Sequence, residues 1–294
     1  MNLGQAKLIL IIAFTGLNVF LGYQLFWPDF GRLTEVAVTT EQLRETEQKM
    51  EENNYILETQ INRSQLTSDF ITVTPSWEIR QEFLYQLIKS GVQIERIEHM
   101  TYYHADDMLA IIHTSGLIQL FYHKGISLED EIVELDENDL AESVKSYLAV
   151  NNLLPENITF DYMEKISEGR LALKYHQHLD DVPIFSGQVK VILEDKKINA
   201  VEIYWLDPSE RSPKREMEVI SSAEALNNLV SELGPSAVKR HITKIDLGYY
   251  SGEYDAEKWE VPPVWRIVFD NKQYYYINAF TGNLEKDIVI PDQL

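Results

Sequence analysis

The sequence of 294 residues contains no cysteine. This absence excludes disulfide bonds, zinc sites built from thiolates, cysteine nucleophiles and a lipid anchor attached through cysteine. Basic residues are also scarce, with 26 Lys and Arg against 47 Asp and Glu and a net charge of −21. Because proteins that bind nucleic acid need clustered bases to neutralise phosphates, this composition argues against a nucleic-acid partner.

The sequence motifs of common enzyme classes are missing as well. The chain has no glycine-rich phosphate loop, no His-Glu-x-x-His motif and no Gly-x-Ser-x-Gly motif. Acidic residues are so numerous that pairs of carboxylates occur at any separation and do not indicate glycoside hydrolysis. The residues alone therefore give no positive sign of catalysis, and we expect no cofactor.

A long run without charged residues lies near the N-terminus, between Lys7 and Asp29. Its 21 residues, 8–28, would form a helix of about 31 Å, which matches the hydrocarbon core of a bilayer. The run ends in aromatic residues typical of the membrane interface, and no small-residue cleavage site follows it. We therefore predict an uncleaved transmembrane anchor at 8–28.

The distribution of charge predicts the orientation of this anchor in the cell membrane. Residues 1–7 carry a base and no acid, whereas all 47 acidic residues follow the uncharged run. The positive-inside rule then places residues 1–7 in the cytoplasm and the C-terminal domain outside the cell. The extracellular part would carry a net charge of −22.

One face of the predicted anchor helix carries polar and small residues. Thr15, Asn18 and Gly22 follow each other at helical spacing, and such residues mediate contacts between helices in lipid. This pattern predicts an interface with a partner helix. The alternative is that a single-pass anchor merely tolerates them.

Beyond the anchor, the pattern of apolar residues predicts an α+β fold in which modules of helix plus antiparallel sheet follow each other. Capping boxes that begin at Thr39 and Ser221 predict helix starts, and runs of alternating strands follow the second. The first of these helices has a narrow apolar edge, so we expect an exposed stalk or a loosely docked helix. The predicted segments are a charged juxtamembrane helix or stalk (29–68), a first α+β module (69–135), a second module of helix plus antiparallel sheet (136–207), a linker (208–217) and a third module that repeats the second (218–294).

An acidic stretch at 129–142 suggests calcium binding at first sight. An EF-hand loop that began at Asp136 would need glycine at its sixth position, where Ala141 stands. The start of a helix explains the stretch better, because Asp136 can cap the helix and the acids after it complement the helix dipole. A helix is also predicted over 77–90 from the spacing of its apolar residues.

A pair of histidines, His176 and His178, is the sharpest candidate for metal binding. On a strand these two residues share a face, so that both could bind one metal ion. Lys174 lies on the same face, however, and a lysine beside a metal is unfavourable. We therefore predict a solvated face here and keep metal binding as the less favoured alternative. The aromatic clusters Tyr249-Tyr250 and Tyr274–Tyr276 suggest a ligand platform, although strand alternation explains them as well, with Tyr275 on one face and Tyr274 and Tyr276 on the other.

Several segments resemble the YycI (WalI) family of regulatory proteins of low-GC Gram-positive bacteria. The matching segments are the N-terminal runs Lys7–Phe14 and Asn18–Gln24, the turn Val182–Gly187, and the C-terminal runs Ile242–Tyr250, Pro263–Ile267 and Tyr276–Gly282. The Trp265-Arg266 and Asn278–Gly282 pieces also fit the broader PepSY-like fold.

This resemblance implies a non-enzymatic regulator. Proteins of this family accompany a YycH (WalH) companion and a sensor histidine kinase that controls cell-wall metabolism, and they modulate the kinase through transmembrane helices. The partners implied are therefore the kinase and a YycH-like companion, and a homodimer or heterodimer is compatible with them. The alternative is a PepSY-like extracellular binding module that inhibits a wall protease or binds a wall component.

Overall fold

The computed structural model describes residues 7, 14, 38–76, 91–128, 136–150, 157–195, 197–209, 216–252 and 256–285. The predicted anchor at 8–28 lies outside these residues except for Phe14, and the predicted helix at 77–90 lies wholly outside them. Within the described part of the chain, no helix is both long enough and apolar enough to span a bilayer.

Helices begin where the sequence places its capping residues. The hydroxyl of Thr39 accepts a hydrogen bond from the Gln42 N–H, and the Gln42 side chain accepts one from the Thr39 N–H. The Ser221 side chain likewise accepts from the Glu224 N–H, and the Asp136 carboxylate accepts from two N–H groups of the first turn. The described residues contain three helices: α1 (Thr40–Glu52), α2 (Glu137–Val150) and α3 (Ser222–Leu233).

Most strands belong to one mixed sheet of 13 strands. Its spatial order is β18-β17-β16-β14-β10-β11-β7-β6-β5-β4, while β9 pairs with β10, β8 pairs with β9, and β1 pairs with β14. The pairings are antiparallel except for β1 and β10, which each run parallel to β14. Its members are β1 (Tyr55–Leu57), β4 (Gln93–Ile97), β5 (Met100–His104), β6 (Met108–His113), β7 (Ile118–Ser127), β8 (Ile158–Ser167), β9 (Arg170–Leu179), β10 (Val182–Glu194), β11 (Lys197–Tyr204), β14 (Arg240–Tyr249), β16 (Pro263–Phe269), β17 (Tyr274–Asn278) and β18 (Leu284–Glu285).

Two small sheets complete the described fold. The first has the order β12-β3-β15 and the second pairs β13 with β2. Their members are β2 (Thr67–Ser68), β3 (Ile71–Pro75), β12 (Leu206–Pro208), β13 (Met217–Glu218) and β15 (Trp259–Val261). The α+β class is therefore confirmed, with a mixed rather than purely antiparallel sheet. The PepSY-like repeat and the domain divisions stay predictions.

The two largest hydrophobic cores of the described residues lie against the large sheet, and a third, around Ile184 and Tyr249, lies where β10 meets β14. The first forms where α2 packs on strands β5 to β11, with Leu140, Val144 and Leu148 buried on one face of the helix. The second forms where α1 and α3 pack on β14, β16 and β17. Strand β10 joins the two halves of the sheet, which are β4 to β11 on one side and β14 and β16 to β18 on the other. It pairs with β9 and β11 and also meets β14 at the Ile184–Tyr249 bridge.

The helix predicted as a stalk or a loosely docked element is docked. Met50 of α1 is 1% exposed and belongs to the second core. The Lys49 ammonium donates to the Asn227 carbonyl and the Ser231 hydroxyl of α3, and the Asn227 amide donates to the Thr46 hydroxyl. After α1, the short strand β1 adds to β14. We call residues 38–58 the strap, because they fasten the start of the described domain to its C-terminal half.

Replacing Met50 by alanine should measure how much the docking of the strap contributes to stability. Truncating a buried methionine removes apolar contacts and leaves a cavity, so we expect the free energy of unfolding to fall by about 2–5 kcal/mol. The matched control is Met217→Ala, because Met217 is 46% exposed and should change stability by less than about 0.5 kcal/mol. Urea unfolding of both variants checks this, and equal effects would contradict a docked strap.

Candidate functional site

Six charged and aromatic side chains from five strands meet at the junction between the two halves of the large sheet. We call them the junction cluster: Asp161 on β8, His176 and His178 on β9, Phe185 on β10, Asp246 on β14 and Arg266 on β16. They are connected by ion pairs and ring contacts. The cluster lies on the sheet face opposite Tyr175, which faces α2 and donates to the Ala141 carbonyl.

The Arg266 guanidinium is the centre of the junction cluster and is only 2% exposed. Its two Nη atoms donate to both oxygens of Asp161, at 2.6 and 2.9 Å, in the bidentate geometry that arginine favours. Nη2 also donates to Asp246 at 2.9 Å, and the face of the Phe185 ring lies 4.4 Å from the guanidinium carbon. One buried cation thus holds two carboxylates and an aromatic ring.

The Asp161–Arg266 contact requires a strongly curled sheet. Strands β8 and β16 are separated by β9, β10 and β14, which is about 19 Å in a flat sheet with strands about 4.8 Å apart. A break in the pairing of β10, between Ile184 and Gln188, accompanies this curvature. Gly248 permits the close approach of the strands, because a Cβ atom there would lie 2.6 Å from the Phe185 ring.

The electrostatics of the cluster favour its charged state. Burial alone would raise the pKa of Asp161, but the nearby His176 imidazole and the hydrogen bonds and charge of Arg266 hold this pKa well below its usual range. Burial likewise opposes the charge of Arg266, and Asp161 and Asp246 more than compensate, so the pKa of Arg266 is raised. Asp161 and Arg266 therefore remain an ion pair at any physiological pH.

The prediction of a solvated face is wrong for His176, whereas His178 is half-exposed. His176 is only 6% exposed, because the curled sheet covers it with Phe185, whose ring it meets edge-on at 5.5 Å. Its Nδ1 atom lies 3.7 Å from the Asp161 carboxylate, and its ring stacks on that of His178 at 5.2 Å. Among the described residues, no group of three His, Asp, Glu or Cys side chains is arranged to hold a metal ion.

The His178 ring has one nitrogen without a partner. Its Nε2 atom is buried and makes no hydrogen bond. Burial, and secondarily the neighbouring His176, lower the pKa of His178 below its ordinary value of 6.5. The neutral form of this histidine is therefore favoured in the folded protein.

Aromatic side chains extend the cluster along β17. The Phe185 and Tyr276 rings lie 5.5 Å apart, and Tyr276 stacks on Tyr250 at 3.8 Å. Tyr275 lies on the opposite face, where its ring meets Phe269 edge-on in the second core. The predicted alternation of the three tyrosines is confirmed. Tyr276 is buried together with Phe185 and Val264.

Sequence reasoning did not identify Arg266 as the central residue. The available signal was an arginine within the apolar strand Pro263–Phe269, since a buried arginine needs acidic partners. The partners themselves come from β8 and β14, which no local pattern connects to β16. The residues predicted to contact a partner helix, Thr15, Asn18 and Gly22, lie outside the described residues.

Replacing Arg266 by methionine should destabilise the fold strongly. The change leaves the buried Asp161 carboxylate without its cation, which typically costs about 3–5 kcal/mol. Lys244→Met is the matched control, because Lys244 also pairs with Asp246, at 3.0 Å, but its side chain is 52% exposed. Such a pair contributes about 0–1 kcal/mol. Equal denaturation midpoints for the two variants would contradict a central role for Arg266.

Comparison with known proteins places this fold in a family. The sequence model of the YycI protein family matches residues 34–280, a range that includes the strap, both cores and the whole junction cluster. Comparison with curated protein sequences finds no match. Among solved structures, the fold is similar to that of an uncharacterized protein from Eubacterium rectale ATCC 33656, with 11% identity and a TM-score of 0.51 over 80% of this chain and 91% of that chain. Because the family match spans most of the sequence, the chain belongs to the YycI family.

Proposed function

We propose that this protein modulates a membrane sensor histidine kinase through contacts between its anchor helix and the transmembrane helices of the kinase. The YycI family consists of regulators of a kinase-based two-component system and not of enzymes. The family match carries the regulatory part of the proposal. The anchor at 8–28, the cytoplasmic N-terminus and the extracellular location of the domain are inferred from the sequence.

The proposed kinase contact is the face formed by Thr15, Asn18 and Gly22. In lipid the hydrophobic effect does not drive helices together, because the lipid tails are themselves apolar. Close packing at small residues and hydrogen bonds between polar side chains therefore determine which helices associate. Asn18 supplies a donor and an acceptor, and Gly22 lets a second helix approach. These features support a specific partner helix over a passive anchor.

The strap supplies a mechanical connection between this anchor and the domain. Only nine residues, 29–37, separate the predicted end of the anchor from Val38, which is buried. The Arg63 side chain donates to the Val38 carbonyl and to the Thr40 hydroxyl, so the strap is fixed from its first residue. A movement of the domain would therefore reach the anchor through a short connection.

The far end of the strap is equally well fastened. The Tyr55 hydroxyl donates to the Gly234 carbonyl at the end of α3, and Glu58 pairs with His241 at 2.6 Å. Tyr55 and Met50 both belong to the second core. A partner bound to the domain, for which we propose a YycH-like companion, could in this way change the position of the anchor.

Regulation in this scheme is a shift between two states of the kinase. The anchor helix favours the state against which it packs better, and coupling energies of about 1–3 kcal/mol are typical of such effects. A difference of this size changes the ratio of the two states by about 5- to 150-fold.

Asn18→Leu tests the proposed contact. Removing interhelical hydrogen bonds worth about 0.6–2 kcal/mol should weaken co-purification of the full chain with the kinase by about three- to thirtyfold and should change the output of the kinase. Gln24→Leu is the matched control, because it makes the same kind of polar-to-apolar change off the predicted face. Unchanged co-purification and signalling of Asn18→Leu, at normal expression, would refute the proposal.

A further inference from the structure

Strand β4 lies at an edge of the large sheet. It stands last in the strand order, and within the described residues it pairs with β5 alone. All five of its residues are exposed, including Ile94 at 53% and Ile97 at 45%. A strand edge presents unpaired N–H and C=O groups, and natural proteins usually protect it with charges, bulges or short length. An edge strand that exposes isoleucine instead indicates pairing with another strand.

The other edges of the described sheet carry such protection. Strand β8 pairs only with β9, but register shifts interrupt this pairing at two places, and the charged residues Glu164 and Lys165 lie on its exposed half. Strand β18 contains two residues and β1 contains three. By contrast, β4 pairs with β5 over five successive residues in one register. Among the described strands, β4 is therefore the edge best suited to accept a further strand.

The hairpin geometry determines which backbone groups of β4 face outwards. A two-residue turn at 98–99 joins β4 to β5, and the residues that flank it, Ile97 and Met100, form a hydrogen-bonded pair. Hydrogen-bonded and non-hydrogen-bonded pairs alternate along an antiparallel ladder, so the N–H and C=O groups of Ile94 and Arg96 point away from β5. A further antiparallel strand must bond to these groups.

The charges on β4 select one register for pairing with a second copy of the chain. A pair centred on Glu95 or on Arg96 would place like charges directly opposite each other, which destabilises a strand pair. A pair centred on Ile94 places the two Ile94 side chains opposite each other and places Gln93 opposite Glu95 of the other copy. The Gln93 amide can donate to that carboxylate, and Val92, just before the strand, faces the aliphatic stem of Arg96. This register contains no opposed like charges.

The local charge also favours this edge for contact between two copies. The chain carries a net charge of −21, so two copies repel each other over most of their surfaces. Residues 92–97 contain one acid and one base, Glu95 and Arg96, and are neutral in sum. The Glu95 carboxylate lies 3.8 Å from His104 of β5 and retains lone pairs for a further donor. The edge is thus a neutral and partly apolar strip on an acidic molecule.

We propose that β4 is a dimerisation strand, which pairs antiparallel with β4 of a second copy about a two-fold axis at Ile94. The large sheet then continues from one copy into the other. The paired strip is short beside stable interfaces, which bury about 1,200–2,000 Å², so the dimer is weak in dilute solution. Copies held in one membrane by the predicted anchor would meet at a higher effective concentration, which favours such a dimer.

Cysteine cross-linking of the full chain tests the register, because the natural sequence contains no cysteine. Ile94→Cys places two thiols across the centre of the pair, at a Cα separation of about 5.5 Å that a disulfide can span. Arg96→Cys places them four residues apart along the strands, about 13 Å, which is too far. In mild detergent at high protein concentration, we expect Ile94→Cys to form covalent dimers on oxidation at least about tenfold faster than Arg96→Cys.

Lys165→Cys, at an exposed position on the edge of β8, is the control for random collision. It should form covalent dimers as slowly as Arg96→Cys. Equal rates for Ile94→Cys and Lys165→Cys would overturn the proposal. Faster cross-linking of Arg96→Cys than of Ile94→Cys would overturn it as well, because the strands would then meet in a different register.

Charge substitutions at the centre of the pair give a second test. Ile94→Lys should weaken the dimer by about two- to thirtyfold, because an apolar pair is lost and like charges are placed opposite each other. Ile94→Glu should act in the same way, whereas an equal mixture of the two variants should associate again. Analytical ultracentrifugation measures the association, and urea unfolding should show unchanged midpoints because Ile94 is exposed. Undiminished association of Ile94→Lys, or no recovery in the mixture, would contradict the proposal.

These tests are independent of the proposed kinase contact. They need no kinase, and Asn18→Leu leaves β4 unchanged. A dimer that forms through β4 in a chain without a kinase contact, or a kinase contact in a chain that does not dimerise, would each give a distinct result.

Discussion

The ion pair between Asp161 and Arg266 connects β8 and β16, two strands that three other strands separate in the order of the large sheet. Strands far apart in the order of the sheet can meet only if the sheet curls, and the pair holds that curvature with a bidentate contact. Buried ion pairs contribute little net stability because both charges lose their hydration, yet removing one partner is costly. The pair therefore specifies which strands meet more than it raises the stability of the fold.

The curvature explains how polar side chains on one face of the sheet become buried by strands of the same sheet. On the opposite face, α2 covers the first core in the ordinary way, with Leu140, Val144 and Leu148 against the strands. On this face the sheet covers itself, so His176 and Phe185 lose contact with water although none of the three described helices packs on them. The polar groups there need partners, and the junction cluster supplies them.

Local features of the fold were predictable from the sequence because they depend on local forces. Capping residues such as Asp136 and Ser221 act within one helical turn, and the alternation of Tyr274, Tyr275 and Tyr276 follows from the pleat of a strand. The burial of His176 was not predictable, because alternation indicates which face a residue shares but not whether a distant strand covers that face. For a related reason, the sequence did not decide whether α1 is an exposed stalk or a docked helix. Its apolar edge is narrow, and polar contacts from Lys49 and Thr46 to α3 complete the interface.

The strap and the junction cluster both contact strand β14 of the C-terminal half. Strand β14 pairs with β1 of the strap through its first residues, it carries Asp246 of the cluster in its middle, and its last residue meets β10. A change at the junction cluster and a shift of the strap would therefore both involve β14. Only nine residues of chain separate the strap from the predicted anchor, so β14 is connected to that segment by a short stretch of sequence. The fold thus places the ion-pair centre on the same strand to which the strap is fastened, so one strand carries both the buried charges of the junction and the start of the described domain.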